Sequence, residues 1–535
     1  MSWTLRSQRA TDAPSDPTNT RSPLLRTPAN WTMPSRKRLG IAAIISVLTA
    51  AIAMPAASFA LYPPDNGYTG ADASKIPADL LGVVNELNYL WLILGACLVF
   101  FMQVGFLGLE VGFSRGKNVG AGIAKIIVNL AVAAIVWWAV GYSFAFGSDA
   151  HKIIGGGDLF YHLDFTEPGK PDASGFPFFF FQFTFAAVAL AIVWGSTLER
   201  IKFVVYPIFG IVFMVIIYPL VAHATWSGVG IFGGDSGLTI GDAAGALDYA
   251  GSGVVHLCGA TAAFAAAIVL GPRKGKYGPD GKPRAIPGHS MPIFGLGVIV
   301  LWLGWFGFNG TSSLNTDGGF FAHVIAVTNV AAGFGVVGAG ISIYAVTRKF
   351  DVGMLGNGAI AGLVAITAPA GYVNIWAAPI IGIVAGVIVV FGVLFIDKIG
   401  IDDPVGATSA HGMAGIWGTL SVGLFLSPDL AKYNALGGNP NGGLFTGGGI
   451  DQLAVQACVV VITFVFVFVL SFATFWIIKK TIGIRVSEED EVAGLDIAEH
   501  GMYGYPEQFI PEAELVGAQY AATPSIGTPS KEIPA

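Results

Sequence analysis

The sequence predicts an all-α polytopic membrane protein with eleven transmembrane helices after a signal peptide. Of its 535 residues, 54% are hydrophobic and only 12% are charged, whereas soluble domains carry about 25% charged residues. The mean hydropathy is +0.67, and most basic residues fall in alternate loops between the apolar runs. The net charge of −6 is diluted over the whole chain and predicts no nucleic-acid partner.

The N-terminal part of the chain has the pattern of an export signal. Residues 1–32 are rich in Ser, Thr, Pro and Arg, and we interpret them as disordered or upstream of the true start. Residues 33–60 combine the basic Arg36-Lys37-Arg38, an apolar run at 39–53 and a Ser-Phe-Ala cleavage site, which predicts a signal peptide. The alternative is an additional, uncleaved membrane helix. With cleavage, residues 61–86 form an exported N-terminal segment.

Residues 87–479 form the predicted membrane domain. A bilayer core about 30 Å thick requires about 20 apolar residues per helix. Eleven runs meet this requirement, with Gly, Pro, Asp and Lys in the breaks between them. The predicted spans are 88–113, 120–146, 176–196, 201–223, 252–271, 291–312, 320–347, 354–372, 374–397, 404–426 and 453–478.

The distribution of basic residues predicts the orientation of these spans. The loops after odd-numbered spans contain Arg115, Lys117, Arg200, Lys202, Arg273, Lys274, Lys276, Lys282, Arg284, Arg348, Lys349, Lys398, Lys479, Lys480 and Arg485. The loops after even-numbered spans contain only Lys152, Lys170 and Lys432. Basic loops remain in the cytoplasm. We therefore expect a multi-pass protein of the cell inner (plasma) membrane, with its N-terminus outside and its C-terminus in the cytoplasm.

Two Asp–His pairs indicate an internal repeat. Asp248 precedes His256 by eight residues, and Asp403 precedes His411 by eight residues. The two pairs lie near the start of the fifth and the tenth span, which are the last spans of two five-helix halves. Halves with an odd number of spans are antiparallel copies. The sequence therefore predicts a 5+5 inverted repeat plus one further helix, with the two imidazoles meeting near the symmetry axis.

The position of each pair suggests its chemistry. An Asp at a helix start caps backbone N–H groups, so Asp248 and Asp403 are predicted supports. A His two turns deeper lies near the bilayer centre, where ionisable groups are rare and usually face a cavity. Either His alone is also compatible with a structural core residue. The facing pair fits a bis-His haem of an electron-transfer protein or a His-lined pore, and the small residues around both histidines favour the pore.

Several segments resemble the ammonium transporter (Amt/Mep/Rh) family, in its Amt branch. They read FLGLEVGFSRGKN, FFQFTFA, STLERIKF, GALDYAGSGVVH, WFGFNG, DDPVGATSAHGMAGIWG and GLDIAEHG, and they are distributed between about residues 85 and 505. The resemblance implies eleven helices in an inverted repeat, a homotrimer and one pore in each subunit. One departure is Gly406, where several family members have an acidic residue.

The resemblance also assigns residues to a transport path. It implies pore residues His256, His411 and Trp305, an outer substrate site of Trp226, Phe185 and Ser312, a gate of Phe185 and Phe308, and structural support by Asp248. Taken singly, Trp226 is more often a residue of the membrane-interface belt, and Phe185 and Phe308 are more often packing residues. The FPFFFFQFTF run, in particular, reads mainly as lipid-facing or packing surface.

The implied substrates are ammonium, ammonia and methylammonium. Aromatic rings hold a small cation by cation–π contacts worth about 0.5–2 kcal/mol, and a Ser312 hydroxyl accepts an N–H, which potassium lacks. An unpaired cation in the apolar path beyond the gate is very costly, so we expect the proton to leave before the nitrogen passes. Burial favours neutral imidazoles at His256 and His411, which offer hydrogen bonds to ammonia.

Other functions and partners follow from the same resemblance. An Rh-type gas channel for ammonia or carbon dioxide and an ammonium sensor are alternatives, although Trp226 and Ser312 favour the transporter. We expect no enzymatic activity, because no hydrolase or protease motif occurs, and no cofactor or metal. Residues 480–535 form the predicted cytoplasmic tail, disordered from about Pro511. The resemblance implies docking of this tail on neighbouring subunits and a cytoplasmic PII signal protein as partner, and the alternative is an unregulated tail.

Overall fold

A computed structural model describes residues 78–147, 151–167, 170–233, 237–436 and 441–509. Eleven helical segments dominate it. They are α1 Ala78–Phe113, α2 Gly116–Phe146, α3 Phe176–Gly195, α4 Val205–Trp226, α5 Ser252–Leu270, α6 Met291–Gly310, α7 Gly318–Thr347, α8 Val352–Thr367, α9 Ala377–Lys398, α10 Thr408–Met413 continuing through Ala414–Phe425, and α11 Asp451–Thr481.

Each of these segments overlaps one predicted span, and the polytopic α-helical fold class is confirmed. Within the described residues, nine helices are long and apolar enough to cross a membrane, and α8 is a shorter apolar helix. The helix α1 begins at Ala78 rather than at residue 88, because a helix can begin before the apolar run that crosses the membrane. The predicted signal peptide and the residues before it lie outside the described part of the chain.

The described residues also contain one small β-hairpin that an all-α prediction omits. Strand β1, Asp164–Glu167, pairs antiparallel with strand β2, Lys170–Asp172, in the connection between α2 and α3. Its short polar sequence lacks the alternating apolar pattern on which strand prediction depends. The hairpin lies in a loop and does not change the helical architecture.

The two predicted halves contact each other through equivalent helices. The first helices of the halves, α1 and α6, pack closely because Gly108 faces Gly297, and a Cβ added at Gly108 would lie 3.0 Å from the Gly297 Cα. Small residues at helix interfaces allow such backbone contact in membranes. The last helices of the halves, α5 and α10, begin at opposite ends of the bundle and meet in its middle. This arrangement is what an inverted repeat requires.

A buried charge cluster closes one end of the bundle, here called the Arg273 end. The Arg273 guanidinium donates from Nε to Asp402 at 2.8 Å and from Nη1 to Glu199 at 3.2 Å, and Arg115 also pairs with Glu199 at 2.8 Å. Burial raises the pKa of the Asp402 carboxyl, but the hydrogen bonds and charge of Arg273 outweigh it, so this pKa lies well below its usual range. The cluster joins the loops after α1, α3, α5 and α9.

The chain after α11 folds back onto the same end. An antiparallel bridge joins Arg485 to Ile201, and short helices follow at Glu488–Ala493, Leu495–His500 and Pro506–Phe509. The Asp496 carboxylate accepts the Ala121 N–H at 2.9 Å, close to the start of α2. The described part of the tail is therefore attached to the loops of its own chain.

Candidate functional site

The structure brings His256 and His411 into direct contact in the middle of the bundle. Their Nδ1 atoms are 3.2 Å apart, and the ring planes differ by 21°. Both rings are buried, at 0% and 6% exposure. Each histidine lies in a π-helical turn, Ser252–Leu257 at the start of α5 and Thr408–Met413 at the start of α10. Such turns are rare and frequently occur at functional sites.

The contact between the two rings fixes complementary hydrogen-bonding roles. A hydrogen bond between two neutral imidazoles requires one Nδ1 to donate and the other to accept. The donating ring then has a bare Nε2, and the accepting ring has an Nε2–H group. The Nε2 atom of His256 has no hydrogen-bond partner among the described residues. The pair therefore offers one acceptor and one donor to a small molecule, whichever ring donates.

Asp248 and Asp403 hold the two π-helical turns in place. The Asp248 carboxylate accepts the backbone N–H groups of Gly251, Gly253 and Val254 at 2.7, 2.8 and 2.9 Å.

At the opposite end of the bundle, just before α10, the Asp403 carboxylate accepts the N–H groups of Ala407 and Thr408 at 3.1 and 2.7 Å. It also accepts the Ser196 hydroxyl at 2.9 Å. Each carboxylate satisfies N–H groups that a helix start leaves without intrahelical partners. Both carboxylates are therefore placed to orient the histidine that follows.

A column of rings extends from Trp226 to the histidine pair. The ring centroids of Trp226 and Phe185 are 6.0 Å apart, and Phe185 stacks on Phe308 at 4.0 Å with an angle of 25°. Phe308 in turn lies 5.5 Å from His256. Phe185 and Phe308 are 1% and 0% exposed, whereas Trp226 is partly exposed. The column thus leads from the accessible end of the bundle, here called the Trp226 end, to its centre.

Hydrogen bonds fix Trp226, the first ring of this column, and two side chains beside it, Trp305 and Ser312. The Trp226 indole donates to the Asp248 carbonyl at 2.7 Å. Trp305 stacks on His256 at 5.1 Å and donates to the Thr367 hydroxyl at 2.8 Å. The Ser312 hydroxyl donates to the Phe308 carbonyl at 2.8 Å, which leaves its oxygen lone pairs for an N–H donor.

One cavity lies at each end of the ring column. At the Trp226 end, a cavity of about 250 Å³ is lined by Phe146, Gly147, Phe178, Trp226 and Ser227. Beyond the histidines, a cavity of about 20 Å³ is lined by His411, Phe106 and Glu110, together with residues of α3, α8 and α10. The second volume accommodates one molecule of the size of water. The described residues contain no cluster of three or more His, Cys, Asp or Glu side chains suited to a metal.

Sequence reasoning missed several residues that the structure adds to this site. Phe181 packs on Phe185 at 4.6 Å, and Phe106 lies 6.2 Å from His411. Both belong to long apolar runs, in which the sequence does not distinguish a pore-facing ring from a packing ring. Glu110 was detectable, because a carboxylate within a predicted span is itself a signal of function.

Comparisons with known proteins agree with these observations. The family model described as Ammonium Transporter Family matches residues 90–505. "Ammonium transporter Amt2" of Archaeoglobus fulgidus is 40% identical over 452 residues, covering 84% of this chain and 93% of that protein. "Ammonium transporter Amt1" of Haloferax mediterranei is 36% identical, covering 81% of each chain.

Similar solved structures have the same architecture. One titled "Sensor Amt Protein" superposes with a TM-score of 0.70 at 36% identity, covering 78% of this chain and 99% of that chain. The crystal structure of Candida albicans Mep2 superposes with a TM-score of 0.67 at 27% identity, covering 79% of this chain and 90% of that chain.

Proposed function

The chain belongs to the ammonium transporter family and is an ammonium transporter, and we propose a specific route for its substrate. Ammonium binds at the Trp226 end, loses its proton at the stacked phenylalanines and passes the histidine pair as ammonia. The observation that supports this route most directly is the continuous ring column that ends on two hydrogen-bonded imidazoles. Each step follows from the chemistry of the residues along it.

Cation binding is the first step. The faces of Trp226 and Phe185 attract a small cation by about 0.5–2 kcal/mol, and more when the site is desolvated. The free lone pairs of Ser312 accept an N–H of ammonium or methylammonium. The aromatic cavity of about 250 Å³ beside Trp226 gives the cation access to this site. Potassium has no hydrogen to donate, so the hydroxyl contact favours ammonium over potassium.

Deprotonation follows from the gate. Phe185 and Phe308 stack at 4.0 Å and are almost completely buried, so a passing molecule loses its hydration shell. Moving a bare cation into such apolar surroundings is far more costly than moving a neutral molecule. Ammonia therefore enters, and the proton stays with water at the Trp226 end or travels separately. The Asp248 carboxylate is engaged by three backbone N–H groups and serves as a support, not as a free base.

Passage of ammonia depends on the imidazole pair. Ammonia both donates and accepts hydrogen bonds, which matches the one acceptor and one donor that the pair offers. Trp305 restricts the space beside His256 by stacking on it at 5.1 Å. The other functions considered from the sequence are less compatible with this geometry. Ring centroids 5.3 Å apart leave no slot for a haem between the histidines.

The sensor and gas-channel alternatives are not favoured. One similar structure is titled a sensor, but the described part of the tail consists of three short helices without a further folded domain. A channel for a neutral gas does not need a cation site such as that formed by the rings of Trp226 and Phe185 beside the Ser312 hydroxyl. Transport of the cation's nitrogen is the function that uses every residue along the column.

Cellular context forms a second part of the proposal. The alternating basic loops support an inner-membrane protein with the Trp226 end outside and the tail in the cytoplasm. By analogy with the family, the active assembly is a homotrimer, and a PII signal protein binds its cytoplasmic face. The contacts of Asp496 and Arg485 with the cytoplasmic loops support a tail that influences transport.

Growth on limiting ammonium tests the function in cells. We expect the chain to restore growth of a strain that lacks its own ammonium transporters, at low ammonium and mildly acidic pH, where little free ammonia enters by diffusion. The same cells should accumulate labelled methylammonium, and excess potassium should not reduce the uptake. Expression at the membrane without growth or uptake would contradict the function.

A further inference from the structure

Two charged side chains lie completely within the helical bundle, close to the histidine pair. Glu110 of α1 is 2% exposed and Lys125 of α2 is 0% exposed. The Lys125 Nζ contacts Oε2 of Glu110 as an ion pair. Ionisable residues in the bilayer are costly, and they usually face a cavity or a partner and mark a functional path. Here the carboxylate has both a partner and a cavity.

The cavity of about 20 Å³ separates Glu110 from His411, and both residues line it. Gly195 lines the same cavity, and a Cβ added there would lie 3.5 Å from Oε1 of Glu110. This oxygen therefore faces the cavity wall, opposite the ion-paired Oε2. Within the described residues, none of the hydrogen bonds ends on Oε1. A carboxylate oxygen at the edge of a space for one small molecule accepts a hydrogen bond from water or from a ligand with an N–H group of similar size.

Helix packing does not explain the charged pair, because neutral groups already join the same helices. Asn129 of α2 donates to Gln103 of α1 at 3.4 Å, and Trp194 of α3 donates to Asn129 at 2.9 Å. A buried ion pair contributes little net stability compared with well-packed apolar residues. We therefore expect the Glu110–Lys125 pair to have a role other than stabilising the fold.

We infer that this cavity is an exit-side substrate site, in which Glu110 Oε1 accepts an N–H of the ammonia that leaves His411. The inference rests on the proposed function. Lys125 acts as a positioning residue, which holds Oε2 and balances the charge of the carboxylate. Conduction requires sites that bind weakly enough to release. A lone buried carboxylate would hold a proton or a cation tightly, whereas the carboxylate paired with Lys125 accepts one N–H of neutral ammonia and releases it.

The test replaces the charged pair by the neutral pair Glu110→Gln with Lys125→Met in the full chain. Ammonium flux is measured in proteoliposomes by the internal pH change after mixing. We expect the maximal flux to fall about tenfold or more, which corresponds to about 1.4 kcal/mol. The half-saturating ammonium concentration should change by less than about twofold, because the Trp226 site is intact. A merely structural pair would leave the maximal flux unchanged.

A matched control removes another ion pair. Lys276 and Asp397 pair at 2.8 Å at the Arg273 end, and neither lines the cavity. The Lys276→Gln, Asp397→Asn double variant should retain the wild-type flux within about twofold. A flux within about twofold of wild type in the Glu110→Gln, Lys125→Met variant would overturn the exit site.

If the neutral pair does not fold, Glu110→Asp decides the question. It keeps the charge and withdraws the oxygen from the cavity by one methylene, and we expect the flux to fall at least about threefold. A wild-type flux in this variant would equally overturn the exit site. Failure of the wild-type chain to conduct ammonium would instead contradict the proposed function, so the two failures are distinguishable.

Discussion

Replacing either histidine of the central pair by alanine should lower ammonium flux about tenfold or more. Each substitution removes one partner of the 3.2 Å Nδ1–Nδ1 contact and one hydrogen-bonding group of the path. A lost hydrogen bond in buried surroundings costs about 1–3 kcal/mol, and 1.4 kcal/mol corresponds to tenfold. The space left by the imidazole also widens the path, so discrimination against potassium should decrease.

The measurement compares His256→Ala and His411→Ala with wild type in proteoliposomes, with ammonium and potassium gradients in separate experiments. His323→Ala is the control, because this histidine of α7 is partly buried and donates to the Val373 carbonyl, away from the ring column. It should retain the wild-type flux. If both pore variants conduct ammonium at the wild-type rate and selectivity, the role assigned to the pair is wrong.

Replacing Asp248 by alanine should have a still larger effect and reduce flux about a hundredfold or more. Its carboxylate satisfies three backbone N–H groups of the turn that carries His256, and each buried group left unsatisfied costs about 1–3 kcal/mol. The same residue anchors Trp226 through its carbonyl. Rearrangement of this turn therefore disturbs the cation site and the histidine at once. Asp248→Asn keeps one acceptor oxygen and should be intermediate.

A cap far from the path provides the control for Asp248. Asp351 accepts the Met354 N–H at 2.8 Å at the start of α8, in an exposed position. Asp351→Ala should lower stability by about 1 kcal/mol and leave flux unchanged. Flux is measured as above, and folding is assessed by the melting temperature. Equal flux in Asp248→Ala and wild type would show that the turn does not depend on this carboxylate.

The sequence was sufficient for the frame of the molecule and for the centre of the candidate site. The equal Asp–His spacing in two halves predicted that His256 and His411 meet, because a repeat places equivalent positions about one axis. Apolar runs located the helices, since the bilayer imposes one length and one composition on each span. Helix ends were less predictable, as α1 shows, because apolar composition ends before the helix does.

The parts that sequence reasoning did not provide depend on contacts between distant helices. Phe106 and Phe181 are ordinary members of apolar runs until α1 and α3 bring them beside His411 and Phe185. The π-helical turns have no local sequence signal that we recognised. Glu110 and Lys125 stand in two different spans, and only their contact across α1 and α2 gives the carboxylate a defined place at the cavity.

The central claim is that the chain selects ammonium at an aromatic site and conducts its nitrogen through the histidine pair. Currents and isotope uptake in membranes containing the purified wild-type chain test it most directly. We expect saturable uptake of labelled methylammonium and ammonium-driven flux, with no comparable response to potassium. Currents, when present, should accompany ammonium alone and report a proton that travels with ammonia. Equal responses to potassium and ammonium, or no ammonium flux at all, would contradict the account.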